Sequence, residues 1–413
     1  MRPRGVIVAA LVCAGLAGCA TAPQSETPGD AGRQEAPAAA PAAPSPPATP
    51  EPPPGPPPGP DLSTLRITVA TVGDMMIGTD YPDNRLPDDD ALGFLDGVAP
   101  VLRQADLAIG NLEGVLLDGG EPAKQCKDPS ACWLFRSPTR YAGVYRDAGF
   151  DALSLANNHA RDFGEEGRDA SMAALDAAGI RHSGREGTTA SMDVGGIRVG
   201  FVAFSGTRGA NPMLNEQAAT AMVADLAAGH DVVIVSFHGG AEGIDALRLP
   251  FAEEEYYGEP RGDVVAFGRA MVDAGADLVF GHGPHVVRAL ERYRGRIIAY
   301  SLGNFATYYG ISVAGLKGVA PILVTTLDGN GEFVEGSVVS TRQIRPSGPA
   351  IDPAGEALEL MARLSRQDFG NPGVRFEPDG RLLPVERPAP RVHPAEPASV
   401  VAEEDEEEKA WQD

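Results

Sequence analysis

Six times along this chain a short apolar run gives way at once to a residue that can ligate a cation or move a proton. Thr71-Val72 leads into Gly73-Asp74, and Ala108-Ile109 into Gly110-Asn111-Leu112-Glu113. Ser154-Leu155 leads into Ala156-Asn157-Asn158-His159-Ala160-Arg161-Asp162. Val235-Ser236-Phe237 precedes His238 and Glu242, Val279-Phe280 precedes Gly281-His282-Gly283-Pro284-His285, and Ala299-Tyr300 precedes Ser301-Leu302-Gly303-Asn304. Short runs rich in β-branched residues read as buried strands. In open α/β sheets, ligands bind beyond the carboxyl ends of such strands. The pattern therefore constrains both the fold and the place where function sits.

The strands predicted are 65–72, 107–110, 152–155, 199–204, 232–237, 278–280 and 297–301. Amphipathic stretches at 138–148, 165–178, 216–228 and 264–274 lie between strands and read as helices, which gives an α/β class. After Tyr300 strands dominate: 319–327, a turn at Asp328-Gly329-Asn330-Gly331, then 333–341, a hairpin signal. A mixed sheet or two-sheet sandwich with helices outside fits this order.

Asp, Glu, Asn and His are the ligand set of Mn²⁺, Zn²⁺ or iron. One Asp after a strand is commonly a turn residue or a helix cap, and one His a satisfied core residue. Their recurrence at successive strand ends points instead to one polar site for a metal or a phosphate-type group.

The ends of the chain carry different signals. Arg2 and Arg4 precede an apolar run, Val6 to Ala17, that is shorter than a bilayer span. It closes in Leu16-Ala17-Gly18-Cys19, which resembles a bacterial lipobox, so residues 1–18 read as a lipoprotein signal peptide and Cys19 as the lipidated residue. Ala20 is not the Asp of an inner-membrane retention signal. Export to the periplasmic face, at the outer rather than the inner membrane, is the expectation. Residues 19–62 are a Pro/Ala-rich tether too poor in large apolar side chains to fold. The folded domain is expected over 63–345. Residues 346–413 form an extension with one helix at 354–366, Pro-broken stretches and an acidic tail, Glu403 to Asp413. In an oxidising compartment Cys126 and Cys132 read as a loop-closing disulfide rather than half of a zinc site.

The net charge is −23, of which −14 falls in residues 65–344. Nucleic acid is excluded as a partner on that ground, because phosphate binding needs clustered Lys and Arg. The same charge predicts that the domain repels an anionic substrate until cations are bound.

Several segments together carry a resemblance to a known family: Ala156-Asn157-Asn158-His159 with Asp162 and Gly164, Gly281-His282-Gly283-Pro284-His285-Val286, and Tyr300-Ser301-Leu302-Gly303-Asn304-Phe305. With Gly73-Asp74 and Asn111-Leu112-Glu113-Gly114, the sequence from Leu65 to Thr341 resembles the CapA family, bacterial capsule-synthesis proteins linked to poly-γ-glutamate and similar to calcineurin-like metallophosphoesterases. The resemblance implies a four-layer αββα sandwich with mixed sheets and a divalent cofactor, Mn, Zn or Fe. It implies metal contacts from Asp74, Asn111, Glu113, Asn158, His238, His282 and His285. His159, with Asp162, would be the catalytic pair, and Asn157, Glu242, Ser301 and Asn304 would contact substrate. The sequence departs from the phosphoesterase pattern at its metal-binding opening and from the pattern of the CapA family itself around His238. The Asp-x-His opening stands here as Asp74-Met75-Met76, which removes one ligand. Gly239 and Gly243 replace aromatic residues, and the acidic insertion Glu253-Glu254-Glu255 follows, so an altered substrate rim is expected.

The function implied is a metal-dependent hydrolase of phosphoester or γ-glutamyl type, acting on an anionic envelope polymer. The alternative is a lipid-tethered accessory that binds or guides such a polymer without catalysis.

Overall fold

The computed structural model describes residues 61–124 and 132–385. The predicted export signal, Cys19, Cys126 and the acidic tail lie outside the described residues, as does the predicted tether up to residue 60. Asp61 caps a short 3-10 turn, Leu62–Thr64. Among the described residues no helix is long and apolar enough to cross a membrane.

Two mixed sheets are stacked between helices. In the first sheet β1 (Arg66–Met76), β2 (Leu107–Leu112), β5 (Ala152–Ser154) and β6 (Arg181–Ser183) run parallel. On the other side of β1 come β16 (Val319–Asp328), β17 (Phe333–Gln343), β20 (Arg381–Pro384) and β19 (Val374–Phe376), all antiparallel to their neighbours. β15 (Asn304–Thr307) joins the end of β1 in parallel, and β18 (Pro349–Ile351) joins β17. In the second sheet β8 (Ile197–Ser205), β9 (Val232–His238), β12 (Leu278–His282) and β14 (Arg296–Ala299) are parallel. Its antiparallel edges are β7 (Ala190–Val194) and β13 (Leu290–Tyr293). Two small ribbons stand apart: β3 (Val115–Leu116) with β4 (Arg136–Ser137), and β10 (Glu254–Tyr256) with β11 (Glu259–Gly262).

Side-chain alternation along β1 explains the layering. Ile67 and Val69 point into the core shared with the second sheet, and Ala70 and Val72 into the other face. That other face is covered by α1 (Ala99–Leu102), α2 (Tyr141–Ala148) and α3 (Gly164–Ala178). The second sheet is covered on its far side by α4 (Glu216–Ala227) and α5 (Val264–Asp273), while α6 (Glu356–Phe369) adds Leu360, Met361 and Leu364 to the same core. Every residue of β9 is buried, as expected for a parallel strand covered on both faces. The four-layer αββα arrangement is the one the resemblance implies.

The folded part continues past residue 345, where the sequence reading ends it. β18, α6, β19 and β20 belong to the first sheet and its packing. Those strands are three or four residues long and lie between turn-forming Gly and Pro residues, so they lack the periodic signal of longer ones. β1 also runs four residues beyond its predicted end, with its register shifting around Asp74. Gly73 makes that passage sterically feasible, because a Cβ there would lie 1.9 Å from the Gly303 carbonyl oxygen. The Asp74 amide donates to that same oxygen at 2.8 Å.

Candidate metal centre

The carboxyl ends of the parallel strands in both sheets converge. Asp74 lies opposite Asn111 on one side and Asn304 on the other, and His282 lies opposite His238 across β12 and β9. Glu113 follows β2, and His285 follows β12 in the left-handed region, at φ 56°. Non-glycine residues pay for that conformation and hold it where the surroundings demand it. The result is a compact cluster in which Asp74, Glu113 and His285 each offer a ligand atom within 4.8 Å of the others. His285 Nδ1 stands 3.1 Å from Asp74 Oδ2, and its Nε2 stands 3.6 Å from Glu113 and 3.8 Å from Glu242. His282 Nδ1 is 3.5 Å from Asp74 Oδ1.

Burial makes this arrangement costly unless something else is bound there. Asp74, Glu113 and His282 are fully buried. Neither oxygen of Glu113 has a hydrogen-bond partner, and neither ring nitrogen of His238 or His282 has one. Asp74 Oδ2 and Asn158 Oδ1 are in the same position. Buried polar atoms are almost always satisfied, so a group of unsatisfied oxygens and imidazole nitrogens converging on one place fits a divalent cation. Burial pushes Glu113 up to about 8, helped by the charges of Asp74 and Glu242 and opposed by His285 and Arg261. Burial also opposes charge on His285, yet Glu113, Asp74 and Glu242 outweigh it and raise the imidazole to about 10. Asp74 is held well below the usual carboxylate range, because His285 and the other imidazoles overcome its burial. Burial lowers His282 to about 4 and pulls His238 well below its ordinary value. In the absence of metal the protonated His285 is the cluster's own cation.

A second ring of side chains holds the first. Asn111 donates to Asp74 Oδ1 at 2.9 Å, and Asn157 donates to Asn111 at 3.0 Å and to the Leu112 carbonyl at 2.8 Å. Asn304 Oδ1 lies 2.9 Å from His285 Nδ1, while its amide nitrogen donates to three carbonyls, those of His285, Ser312 and Lys317. Ser301 donates to the Val286 carbonyl at 2.7 Å. Asn157, Ser301 and Asn304 are thus buried and bonded to the protein itself. That corrects the expectation that they contact substrate: they brace the loops that carry the acids and imidazoles. Asn111, expected at the metal, gives its nitrogen to Asp74 and its oxygen to Asn157. Glu242 stands nearer the opening and pairs with Arg261 at 3.1 Å.

His159 and Asp162 form a separate pair. His159 Nδ1 lies 2.7 Å from Asp162 Oδ2, which also accepts the Phe135 amide at 2.9 Å. Phe135 packs against the imidazole with ring centroids 4.2 Å apart. Burial lowers the His159 pKa, against the pull of Asp162. Lys124 reaches Asp162 Oδ1 at 3.2 Å. Met76 is buried with Phe135 and Ile311, so the position that lacks its histidine is filled with apolar packing. Cys132 is disulfide-bonded.

Beside the cluster lies a groove of about 480 Å³ whose lining includes Asn158 and His238 together with Lys124, Arg161, Arg208 and Arg261. The sequence reading missed these four cations. Arg161 stands inside the Asn158-His159 motif and was legible there; the others come from distant segments. Glu259 is the one carboxylate in the lining. The chain's negative charge is therefore unevenly distributed, with cationic side chains gathered at this groove. The acidic insertion is likewise not a plain rim: Glu254 is buried against Arg288, whose guanidinium donates to both its oxygens at 2.8 and 2.7 Å and to the Ala246 and Ala241 carbonyls.

Known proteins are similar to this chain over much of its length. The PGA biosynthesis protein CapA of Bacillus subtilis (strain 168) is 28% identical over 257 residues, covering 58% of this chain and 63% of that protein. The capsule biosynthesis protein CapA of Bacillus anthracis is 31% identical over 264 residues, covering 58% of this chain and 59% of that protein. The matches thus span about three fifths of each relative's length. Among solved structures, a hypothetical protein from Thermus thermophilus is 19% identical, with a TM-score of 0.42 over 67% of this chain and 100% of that one. A 5'-nucleotidase precursor from the same organism is 13% identical, with a TM-score of 0.37 over 73% and 59%. Likeness at that level adds nothing to the reading of the site. The profile of the family described as bacterial capsule synthesis protein PGA_cap matches residues 68–309, from β1 to the residues after β15. With more than half of the sequence matched and every strand end of the acid–imidazole cluster inside that span, the chain belongs to the bacterial capsule synthesis protein PGA_cap family.

Proposed function

We propose that this protein is a metal-dependent hydrolase of the phosphoesterase type that works on an anionic envelope polymer, in capsule or poly-γ-glutamate synthesis or processing. The names of the two Bacillus relatives support the polymer. The observation that carries the hydrolase reading is the meeting of Asp74, Glu113 and His285 within 4.8 Å, next to the bare ring nitrogens of His238 and His282. Asp74, Glu113, His282 and His285 would hold the cation, with the His238 ring nitrogens and the Asn158 amide oxygen as further unsatisfied ligand atoms. When bound, a divalent cation supplies Lewis acidity toward a phosphoryl or carbonyl oxygen.

The chain's own residues do the rest. Asp162 holds His159 at Nδ1 and leaves Nε2 as the atom that gives or takes a proton, a task suited to an imidazole near neutral pH. Asn304 fixes the ring of His285, and Asn111 fixes Asp74. Lipidation at Cys19 would tether the domain to the periplasmic face of the outer membrane through the Pro-rich segment.

A second reading, an accessory that binds or guides the polymer without cleaving it, draws on Met76, whose apolar packing removes a ligand from the phosphoesterase pattern. A hydrolysis screen separates the two. Phosphomonoesters, phosphodiesters and γ-glutamyl amides are offered to the full chain with Mn²⁺, Zn²⁺ or Fe²⁺. The hydrolase reading expects turnover that His159→Ala abolishes while metal stays bound. Silence across the panel with metal bound contradicts it and favours the accessory. For the anchor, Cys19→Ala is expected to release the protein from membranes, and unchanged membrane association contradicts lipidation.

A further inference from the structure

We infer that the groove beside the acid–imidazole cluster is an anion subsite that works without metal, in which Arg208, Arg161, Lys124 and Arg261 take a phosphate or carboxylate of the substrate away from the bond being cleaved. It rests on the hydrolase reading only for the statement that the anion belongs to a substrate. Its electrostatics stand alone: four cationic side chains and one carboxylate line about 480 Å³, in a chain of net charge −23. Three of those cations have carboxylate partners, so the uncompensated charge falls on Arg208, and a groove with low-dielectric walls concentrates its field.

The four cations are held differently. Arg208 is exposed and has no carboxylate within ion-pair distance among the described residues. Its carbonyl accepts from Arg161 at 3.2 Å, so Arg161 braces the loop that presents it. Arg161 in turn leans on Glu165 at 2.9 Å. Lys124 is anchored by Asp162, the carboxylate that also holds His159. Arg261 lies 9% exposed between Glu242 and Glu259, and Glu242 is itself 3.8 Å from His285. The groove is thus joined to the cluster through Arg261 and Glu242, and to His159 through Lys124 and Asp162. Guanidinium forks suit phosphate and carboxylate alike, because each presents paired oxygens at matching spacing. An anion seated on Arg208 and Arg161 would leave the neighbouring unit of the same chain near Asn158 and His238, which line the same groove.

The test is calorimetric titration of the full chain after removal of divalent cations with a chelator. Tripolyphosphate is the titrant in one arm and a glutamate oligomer in the other. At least one is expected to bind, and the arm that binds names the source of the anion. Arg208→Glu is expected to weaken binding about tenfold or more. Arg66→Glu, the same charge change at the opposite end of β1, is expected to leave it unchanged. Thermal melting confirms that both variants fold, since both positions are exposed. His282→Ala is expected to keep the anion binding. If the wild type binds anion but no metal, the hydrolase reading fails and the subsite stands. A wild type that binds neither titrant, an Arg208→Glu that binds as the wild type, or an Arg66→Glu that loses as much, overturns the proposal.

Discussion

Two buried groups of charge lie within one loop system and are built on opposite plans. Arg288 and Glu254 pair two nitrogens with two oxygens, and two further guanidinium N–H groups meet the Ala246 and Ala241 carbonyls. Nothing there calls for a ligand, and the pair locks the segment that carries Glu242. The acid–imidazole cluster is as buried, yet Glu113, His238 and His282 have no hydrogen-bond partner on any side-chain polar atom. Two buried carboxylates share one protonated imidazole, which leaves one acid uncompensated. A complete ion pair serves stability; an incomplete one, mixing carboxylate oxygens with imidazole nitrogens, fits a divalent cation.

The contrast can be broken at either end, and the largest effect belongs to the lock. Arg288→Ala leaves Glu254 buried without its partner, and is expected to destabilise the domain by about 3–5 kcal/mol. Chemical denaturation measures this; a loss under about 1 kcal/mol would show that the pair is not a lock. The cluster should respond in the opposite sense. Glu113→Gln removes the buried acid, so the metal-free protein is expected to gain stability at pH 8, on the order of a few kcal/mol, while metal affinity collapses. A variant that loses stability without metal would contradict the uncompensated charge.

The pH dependence follows from the same groups. Glu113 sits near 8 in the fold against an unfolded value near 4.5, so the unfolded chain ionises first and the fold is penalised increasingly from pH 4.5 to 8. His285, raised to about 10, contributes stability that is complete below pH 6.5 and lost by pH 10. His282, lowered to about 4, acts in the other direction but only below pH 6.5. The melting temperature of the metal-free protein should therefore fall from pH 6.5 to 8.5. Added divalent cation should restore it more at the higher pH, because binding displaces protons. A melting temperature that rises over that interval would contradict the charge balance. The smallest effect concerns the bracing ring. Asn304→Ala frees the His285 ring and is expected to cost about 10–100-fold in metal affinity with the cluster otherwise intact. Unchanged affinity would make Asn304 a core residue only.

How much of this was legible in the sequence depends on whether neighbours in space were neighbours in the chain. Asp74, Asn111, Glu113, His282 and His285 follow apolar runs that announce strands, and strand ends converge by topology, so their meeting was readable. The lock was not. Glu253-Glu254-Glu255 reads as a uniformly acidic stretch, and only strand alternation in β10 buries the middle residue and exposes its neighbours. Arg288, its partner, lies 34 positions away. The groove was hidden in the same way: Lys124, Arg161, Arg208 and Arg261 come from four segments, and summed charge masked them. Asn157, Ser301 and Asn304 were identified as site residues, but sequence cannot tell a side chain facing substrate from one bonded behind the site. The strands from residue 349 onward were missed because strands of three or four residues carry little periodic signal.

The central claim, that the cluster of buried acids and imidazoles is a cation site, meets its most direct test in a count of metal atoms per chain. The full chain is stripped with a chelator, reloaded with Mn²⁺, Zn²⁺ or Fe²⁺, desalted and measured by elemental analysis, beside Asp74→Ala, His282→Ala and Arg208→Glu. The wild type and Arg208→Glu are predicted to retain at least one of these metals, and Asp74→Ala and His282→Ala, folded by their melting curves, to lose it. Folded Asp74→Ala and His282→Ala proteins that keep as much metal as the wild type would contradict the account.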